Sequence, residues 1–149
     1  MGFMPEPGPD SGNQRIIAEF RANGGTVGGY FAGIPLLLLT TTGAKTGRPH
    51  TVPLGYLADG NRYVVFAAAG GAPSDPDWYR NLVKNPRATV EVGAEVFEAT
   101  AMVTTETERN ALFERHAAAQ PQLALYQSRT ARQFPVVALS RRADRTPST

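Results

Sequence analysis

The sequence has no cysteine, a single tryptophan (Trp78) and only two histidines, His50 and His116. Without thiols there is no disulfide, no thiolate metal site and no cysteine nucleophile. Two imidazoles unsupported by cysteine make a poor zinc site. Long apolar runs are also missing, and none approaches the roughly 20 residues of a membrane span. The N-terminal stretch MGFMPEPGPDSGN has neither a basic n-region nor an apolar h-region, so no secretory leader is expected there. Glu6 stands where a myristoylation signal has serine or threonine. A cytoplasmic location is the expectation, with peripheral association to a membrane left open. No Gly-x-Ser-x-Gly elbow and no Walker loop occur, and the GGTVGG of Gly24 to Gly29 lacks the spacing of a dinucleotide fingerprint. Excess charge is small: 149 residues carry a net +2. That balance favours an anionic ligand but is far short of a protein that coats nucleic acid, which is not expected as a partner.

What is present is one globular domain's worth of chain, long enough to bury a core. Residues 1–12 read as a disordered Pro/Gly-rich tail, 13–140 as a single domain and 141–149 as a polar tail. Asn13 is placed to cap a helix to about Ala22, with Ile16, Ile17 and Phe20 on one face. Gly28-Gly29 then leads through Tyr30 and Phe31 to a strand over Pro35–Thr42. Strands are expected over Thr51–Leu57 and Tyr63–Ala69, joined by the tight turn Asp59-Gly60-Asn61. Asp75-Pro76 marks the start of a helix over Asp77–Asn85, with Asp75 as its acidic cap. Ala88–Val92 and Val96–Thr105 pair as a hairpin, and Thr105 with Glu108 resembles a capping box for a helix over Glu106–Ala118. A short helical piece to Ser128 and a strand over Phe134–Leu139 complete the pattern. Hairpins interrupted by helices, without a βαβ rhythm, indicate an α+β fold, a split antiparallel β-barrel flanked by helices.

Chemistry concentrates between Leu36 and Leu82. The loop Gly43-Ala44-Lys45-Thr46-Gly47-Arg48-Pro49-His50 combines glycines that permit close backbone approach with Lys45 and Arg48, both able to pair with phosphate or carboxylate. Read alone, it is more often an ordinary solvated hairpin loop. Gly70-Gly71 either offers successive N–H groups as an anion nest or merely turns the chain. Trp78 and Tyr79 suit core packing, whereas a buried Asn81 would need partners. Tyr126 suits a pocket wall or plain packing. The late arginines Arg129, Arg132, Arg141, Arg142 and Arg145 read as a solvated face.

The ordered run LLLLTTTGAKTGRPHTVPL, DGNRYVV, GGAP and PDWYRNL followed by NP resembles the deazaflavin-dependent nitroreductase family of actinobacteria, which includes F420H2-dependent quinone and enone reductases. The resemblance extends from about Gly24 to Leu139. It implies a split barrel related to FMN-binding, pyridoxamine-phosphate-oxidase-like proteins. It also implies coenzyme F420, a 5-deazaflavin with a phosphate, a lactyl carboxylate and an oligoglutamate tail. The implied reaction is hydride transfer to a quinone, an activated enone or a nitroaromatic. Carried over by position, Lys45, Thr46, Arg48 and His50 face the anionic tail, and His50 stands where nitroreductase members usually have arginine. Ala67, Ala68, Ala69, Gly70 and Gly71 match the turn beside the ring, with Ala68-Ala69 in place of Ser-Lys. Trp78 and Asn81 match the family's Trp-Tyr-x-Asn run, and Tyr126 is the candidate catalytic hydroxyl. Leu123 and Gln120 stand where tyrosines occur, and Gly55 replaces a bulky residue, which implies a wider substrate pocket. The alternatives are an FMN-dependent relative, or a non-catalytic F420 carrier. Oligomeric state is not legible.

Overall fold

The computed structural model describes residues 11–29 and 33–142, with side chains from residue 13 onward. Tyr30, Phe31 and most of both expected tails lie outside the described residues. In chain order the elements are α1 (Ser11–Ala22), β1 (Leu36–Thr42), β2 (Pro49–Gly55), β3 (Leu57–Asp59), β4 (Arg62–Phe66), α2 (Asp77–Lys84), β5 (Arg87–Val92), β6 (Glu95–Val103), α3 (Glu106–Ala119), α4 (Gln122–Gln127) and β7 (Val136–Arg141). The strands form one sheet in the order β2-β1-β5-β6-β7-β4-β3, and every neighbouring pair is antiparallel.

The edges of this sheet are β2 and β3, and a single residue, Tyr56, joins them. Laid flat, six interstrand spacings would hold the edges roughly 29 Å apart. Two Cα steps span less than about 8 Å. The sheet therefore curls until its edges meet at the Tyr56 corner, giving the split antiparallel barrel. There the Tyr56 N–H donates to Pro35 O (3.1 Å), and its ring stands edge-on to Tyr63 with centroids 5.3 Å apart.

Both faces of the curled sheet are covered over β1, which explains its unbroken run of leucines. Leu37 and Leu39 enter the barrel interior with Val65, Val90, Val137 and Leu139. Leu36 and Leu38 face outward, beneath Ile16, Ile17 and Phe20 of α1. A strand buried on both faces has no reason to alternate. On the opposite side, Val64, Phe66 and Val136 point outward under Leu112 of α3 and Leu123 of α4. Trp78 and Leu82 carry α2 into the interior cluster.

Several boundaries differ from expectation. The strand expected over Thr51–Leu57 is β2, a corner and then β3, because the chain must change edges there. The strand expected over Tyr63–Ala69 stops at Phe66. In the β4–β7 register Phe66 faces Val136, so Ala67 faces Pro135. Ala67 donates to Pro135 O (2.9 Å), but proline has no N–H to return, and the ladder ends. Asp75 does not cap α2: Pro76 occupies that position without a side-chain cap, and the Asp75 carboxylate binds Arg132 instead. The α1 helix begins at Ser11, ahead of Asn13, and Arg141 belongs to β7 rather than to a tail. Thr105 does cap α3, accepting from the Glu108 N–H, whereas the Glu108 carboxylate turns to Arg62.

His116 is 8% exposed and stacks on Phe66, with ring centroids 4.4 Å apart. Its buried Nδ1 has no partner among the described residues, and burial holds the imidazole below its ordinary pKa of 6.5. Between the depressed value and the unfolded one, the unfolded chain binds more protons. Stability is therefore fully present above about pH 6.5 and falls as pH drops through that window. Urea unfolding at about pH 7.5 and about pH 5 should show wild type losing more stability toward acid than His116→Phe.

A second buried polar group ties α2 to the hairpin between β1 and β2. Asn81, 5% exposed, accepts from the Ala44 N–H (2.9 Å) and donates to Thr41 Oγ1 (2.9 Å). Removing the amide leaves both partners short of water. Asn81→Ala should cost about 2 kcal/mol in chemical denaturation, more than its lost contact area alone implies.

Candidate functional site

The β1–β2 loop is a compact hairpin. Gly43 donates to Arg48 O (2.7 Å), Gly47 donates to Gly43 O (2.9 Å), and the Arg48 N–H donates to Thr46 Oγ1 (3.1 Å). A Cβ on Gly43 would lie 2.9 Å from Thr46 Oγ1 and 3.1 Å from Arg48 O, so a side chain there would require both to shift. Asn81 anchors the near side of the loop, and Lys84 Nζ donates to Ala44 O (3.1 Å). The loop and α2 are thus tied together by these bonds.

Between them lies a cleft of about 190 Å³. Gly43 and Ala44 line it together with Lys45, Thr46, His50, Asp77, Arg80 and Asn81. Its volume suits a phosphate or carboxylate group, not a whole cofactor. Arg80 is a member that sequence reasoning missed. It lies one helical turn from Asp77, and that carboxylate holds its Nη1 at 2.9 Å. The signal was present as Asp-x-x-Arg on α2, but nothing in the sequence placed that face against Lys45. The Arg48 side chain is exposed and lies outside the lining. Trp78 is likewise outside it, only 6% exposed and packed in the barrel interior.

The second group of expected residues gathers where β4 leaves the sheet. Ala67 and Ala68 are buried, and Ala69 and Gly70 are exposed. Ala69 to Gly71 form a single 3-10 turn in which three successive residues have positive φ: 48° at Ala69, 64° at Gly70 and 87° at Gly71. The left-handed region costs an alanine about 1 kcal/mol. Gly71 has no such choice, because a Cβ there would lie 2.8 Å from Tyr126 O. Ala68 is right-handed (φ −81°, ψ −35°), and the right-to-left sequence into Ala69 is the backbone of an anion nest. The Ala69 and Gly70 N–H groups have no acceptor among the described residues.

Tyr126 stands beside this turn, half-buried against the cluster that holds Ala68. Its hydroxyl accepts from Gln122 Nε2 (2.8 Å), and Arg129 lies over its ring. Leu123, expected in a pocket wall, is buried in that outer cluster. A Cβ on Gly55 would make ordinary van der Waals contact with Ile34 at 3.4 Å, and Gly55 does not line the basic cleft. Arg132 corrects the reading of the late arginines as a solvated face. Its side chain is 13% exposed and bound to the turn. Arg141 is no free surface charge either, lying over Phe97 and pairing with Glu95, while Arg145 lies outside the described residues.

A family model described as F420H(2)-dependent quinone reductase matches residues 14–141. A Mycobacterium tuberculosis H37Rv protein named F420H(2)-dependent quinone reductase is 39% identical over 140 residues, covering 84% of this chain and 87% of that protein. A solved structure described as an F420-H2 dependent reductase, FDR-A, superimposes with TM-score 0.65 at 36% identity, covering 71% of this chain and 94% of its own. A domain-swapped dimer aligns with TM-score 0.67 at 34% identity over 85% of this chain and 96% of its own. A Listeria innocua pyridoxamine 5'-phosphate oxidase-like structure, 14% identical with TM-score 0.51 and covering 72% of this chain and 83% of its own, shares the fold alone. The chain belongs to the F420H(2)-dependent quinone reductase family.

Proposed function

We propose that this protein passes a hydride from reduced coenzyme F420 to a quinone. The observation that carries the reading is the pairing of a cationic cleft with a nest of open N–H groups, in a chain that belongs to a family of F420H2-dependent reductases. The residues fit such a cofactor. Lys45, Thr46, His50 and Arg80 would hold its phosphate and carboxylate groups by charge-assisted hydrogen bonds, which are the stronger kind. Ala69 and Gly70 would present their N–H groups to polar atoms of the ring system. Ala67, Ala68 and Gly71 shape that turn, and Tyr126 would lie at the acceptor side. Arg48 supports the loop from outside the cleft, and Trp78 supports α2 from the core.

When bound, the reduced deazaflavin supplies the hydride. The chain's own part is placement. Holding donor and acceptor together converts a bimolecular step into a unimolecular one. The Tyr126 hydroxyl is the nearest candidate to hydrogen-bond the oxygen of the quinone as it gains charge. Enones and nitroaromatics are electron-poor acceptors of the same kind, and this geometry does not select among them. FMN, the other cofactor that would ask for cations, is the competing ligand to test. No described helix is long and apolar enough to cross a membrane. We infer that the protein would meet a lipophilic quinone from outside the bilayer, by peripheral contact.

Titration of the protein with F420 and FMN tests the reading. Binding of F420 but not FMN is expected, and the reverse would overturn it. Lys45→Ala should weaken F420 about tenfold, or about 1.4 kcal/mol, and unchanged affinity would remove Lys45 from the site. Asp77→Asn should act in the opposite direction. It removes a negative charge from the cleft and frees Arg80 for the ligand, so affinity should rise. The pair of opposite signs, measured at one fixed salt concentration, separates an anion site from a general loosening of α2.

A further inference from the structure

The strained turn at Ala67–Ala72 has an unusual tether. Arg132, on the segment between α4 and β7, spends three donor bonds on this turn and a fourth on Asp75 just beyond it. Nε donates to Ala72 O (3.0 Å), Nη1 to Ala67 O (2.9 Å) and to Asp75 Oδ1 (2.7 Å), and Nη2 to Ala68 O (2.9 Å). The guanidinium also lies over the Phe134 ring, 4.8 Å from its centroid. Arg132 is itself fixed: Gln127 Nε2 donates to its carbonyl (2.6 Å), and its N–H donates to Thr130 Oγ1 (3.1 Å).

The consequence follows from peptide geometry. In a trans peptide the C=O and the following N–H point in opposite directions. When the Ala68 carbonyl is drawn toward Arg132, the Ala69 N–H must point away from it. Rotating the Ala68–Ala69 peptide by about half a turn would relieve the positive φ at Ala69 and turn that N–H inward. Locally, one turn bond, Gly71 N–H to Ala68 O (2.9 Å), would also be broken by this rotation. The four-donor fork opposes this rotation. Lysine, with a compact ammonium, cannot span carbonyls 67, 68 and 72 at once.

We infer that Arg132 is the positioning residue of the cofactor-facing turn: it holds the Ala68–Ala69 peptide in the orientation that directs the Ala69 N–H outward. The turn's importance to catalysis rests on the function proposed above, but its geometry does not. The test therefore has two arms. In the protein without cofactor, a positive φ at Ala69 gives a strong intraresidue HN–Hα cross-peak in the nuclear Overhauser spectrum. Wild type should show it, and Arg132→Lys and Arg132→Gln should lose it while the rest of the amide spectrum stays native. Persistence of the cross-peak in both variants would overturn the assignment. In the second arm, F420 titration of the folded Arg132→Lys protein should show about tenfold weaker binding. A merely structural arginine would lower the melting temperature and leave both the cross-peak and the affinity of the folded protein unchanged. If wild type binds no F420 while the variants still lose the cross-peak, the proposed function fails and the positioning role stands. Should neither Arg132 variant fold, Asp75→Asn decides, since it removes the charge from one of the four acceptors. Partial loss of the cross-peak supports the role, and an unchanged one overturns it.

Discussion

One residue between two sheet edges governs this molecule. Because Tyr56 alone connects β2 to β3, the seven strands have no flat solution, and the barrel is a consequence of chain length rather than of any side chain. Curling creates an interior that leucines, valines and alanines fill from all sides. It also leaves outer faces that must be covered separately, by α1 over β1 and by α3 and α4 over β4 and β7. The same closure puts the β1–β2 hairpin at one end of the barrel, where α2 can reach it. The candidate site is thus built at the rim of a closed sheet, by loops whose roots are rigid.

Two polar devices turn that rim into a shaped surface, and they work in different ways. Asn81 is a buried amide with partners on its oxygen and on its nitrogen, and it joins a loop N–H to a strand hydroxyl. Buried amides so paired specify geometry because any other arrangement leaves a group unsatisfied. Arg132 gathers carbonyls from a turn that has left the sheet. That turn exists because Pro135 ends the β4–β7 ladder, so a missing N–H on one strand produces the irregular backbone on the other. A proline, an arginine three residues before it and a left-handed alanine form one local system, although more than sixty residues separate the alanine from the other two.

Much of the fold was legible in the residues. The leucine run, the Gly60-Asn61 turn, the capping threonine and the hairpin rhythm follow from local rules and were read without tertiary information. The misreadings share a cause: each depended on a partner distant in sequence. Asp75 has the chemistry of a helix cap, yet Arg132 outbids the helix for its carboxylate. Arg132 has the composition of a surface residue, and no periodicity reveals that it folds back on a turn more than sixty residues earlier. Arg80 joins the cleft only because Asn81, its neighbour, fixes the rotation of α2 against the hairpin. The family resemblance pointed to the loop, the Gly-Gly turn and Asn81, but a motif does not distinguish a residue that touches a ligand from one that aims another residue. Trp78 is 6% exposed and packs in the interior cluster.

The substitution of Ala68-Ala69 for a serine-lysine pair reads differently once the turn is in view. In sequence terms it removes a hydroxyl and a cation from the expected cofactor site. In the structure Ala68 joins the outer cluster with Phe66, Leu123 and Phe134, an apolar setting in which a methyl group packs without loss. Ala69 is exposed, and what it offers toward solvent is a backbone N–H whose direction the Arg132 fork controls. Recognition by main-chain donors does not depend on side-chain identity, only on the peptide being held in the correct orientation. Alanine in a left-handed turn is the residue that most needs such holding, since glycine would adopt it freely and a longer side chain could contribute contacts of its own. On the proposed function, alanines at these two positions would leave recognition to the backbone and to the cations of the hairpin cleft. They would also make the tether to Arg132 more consequential here than it would be with a ligand-binding lysine in the turn.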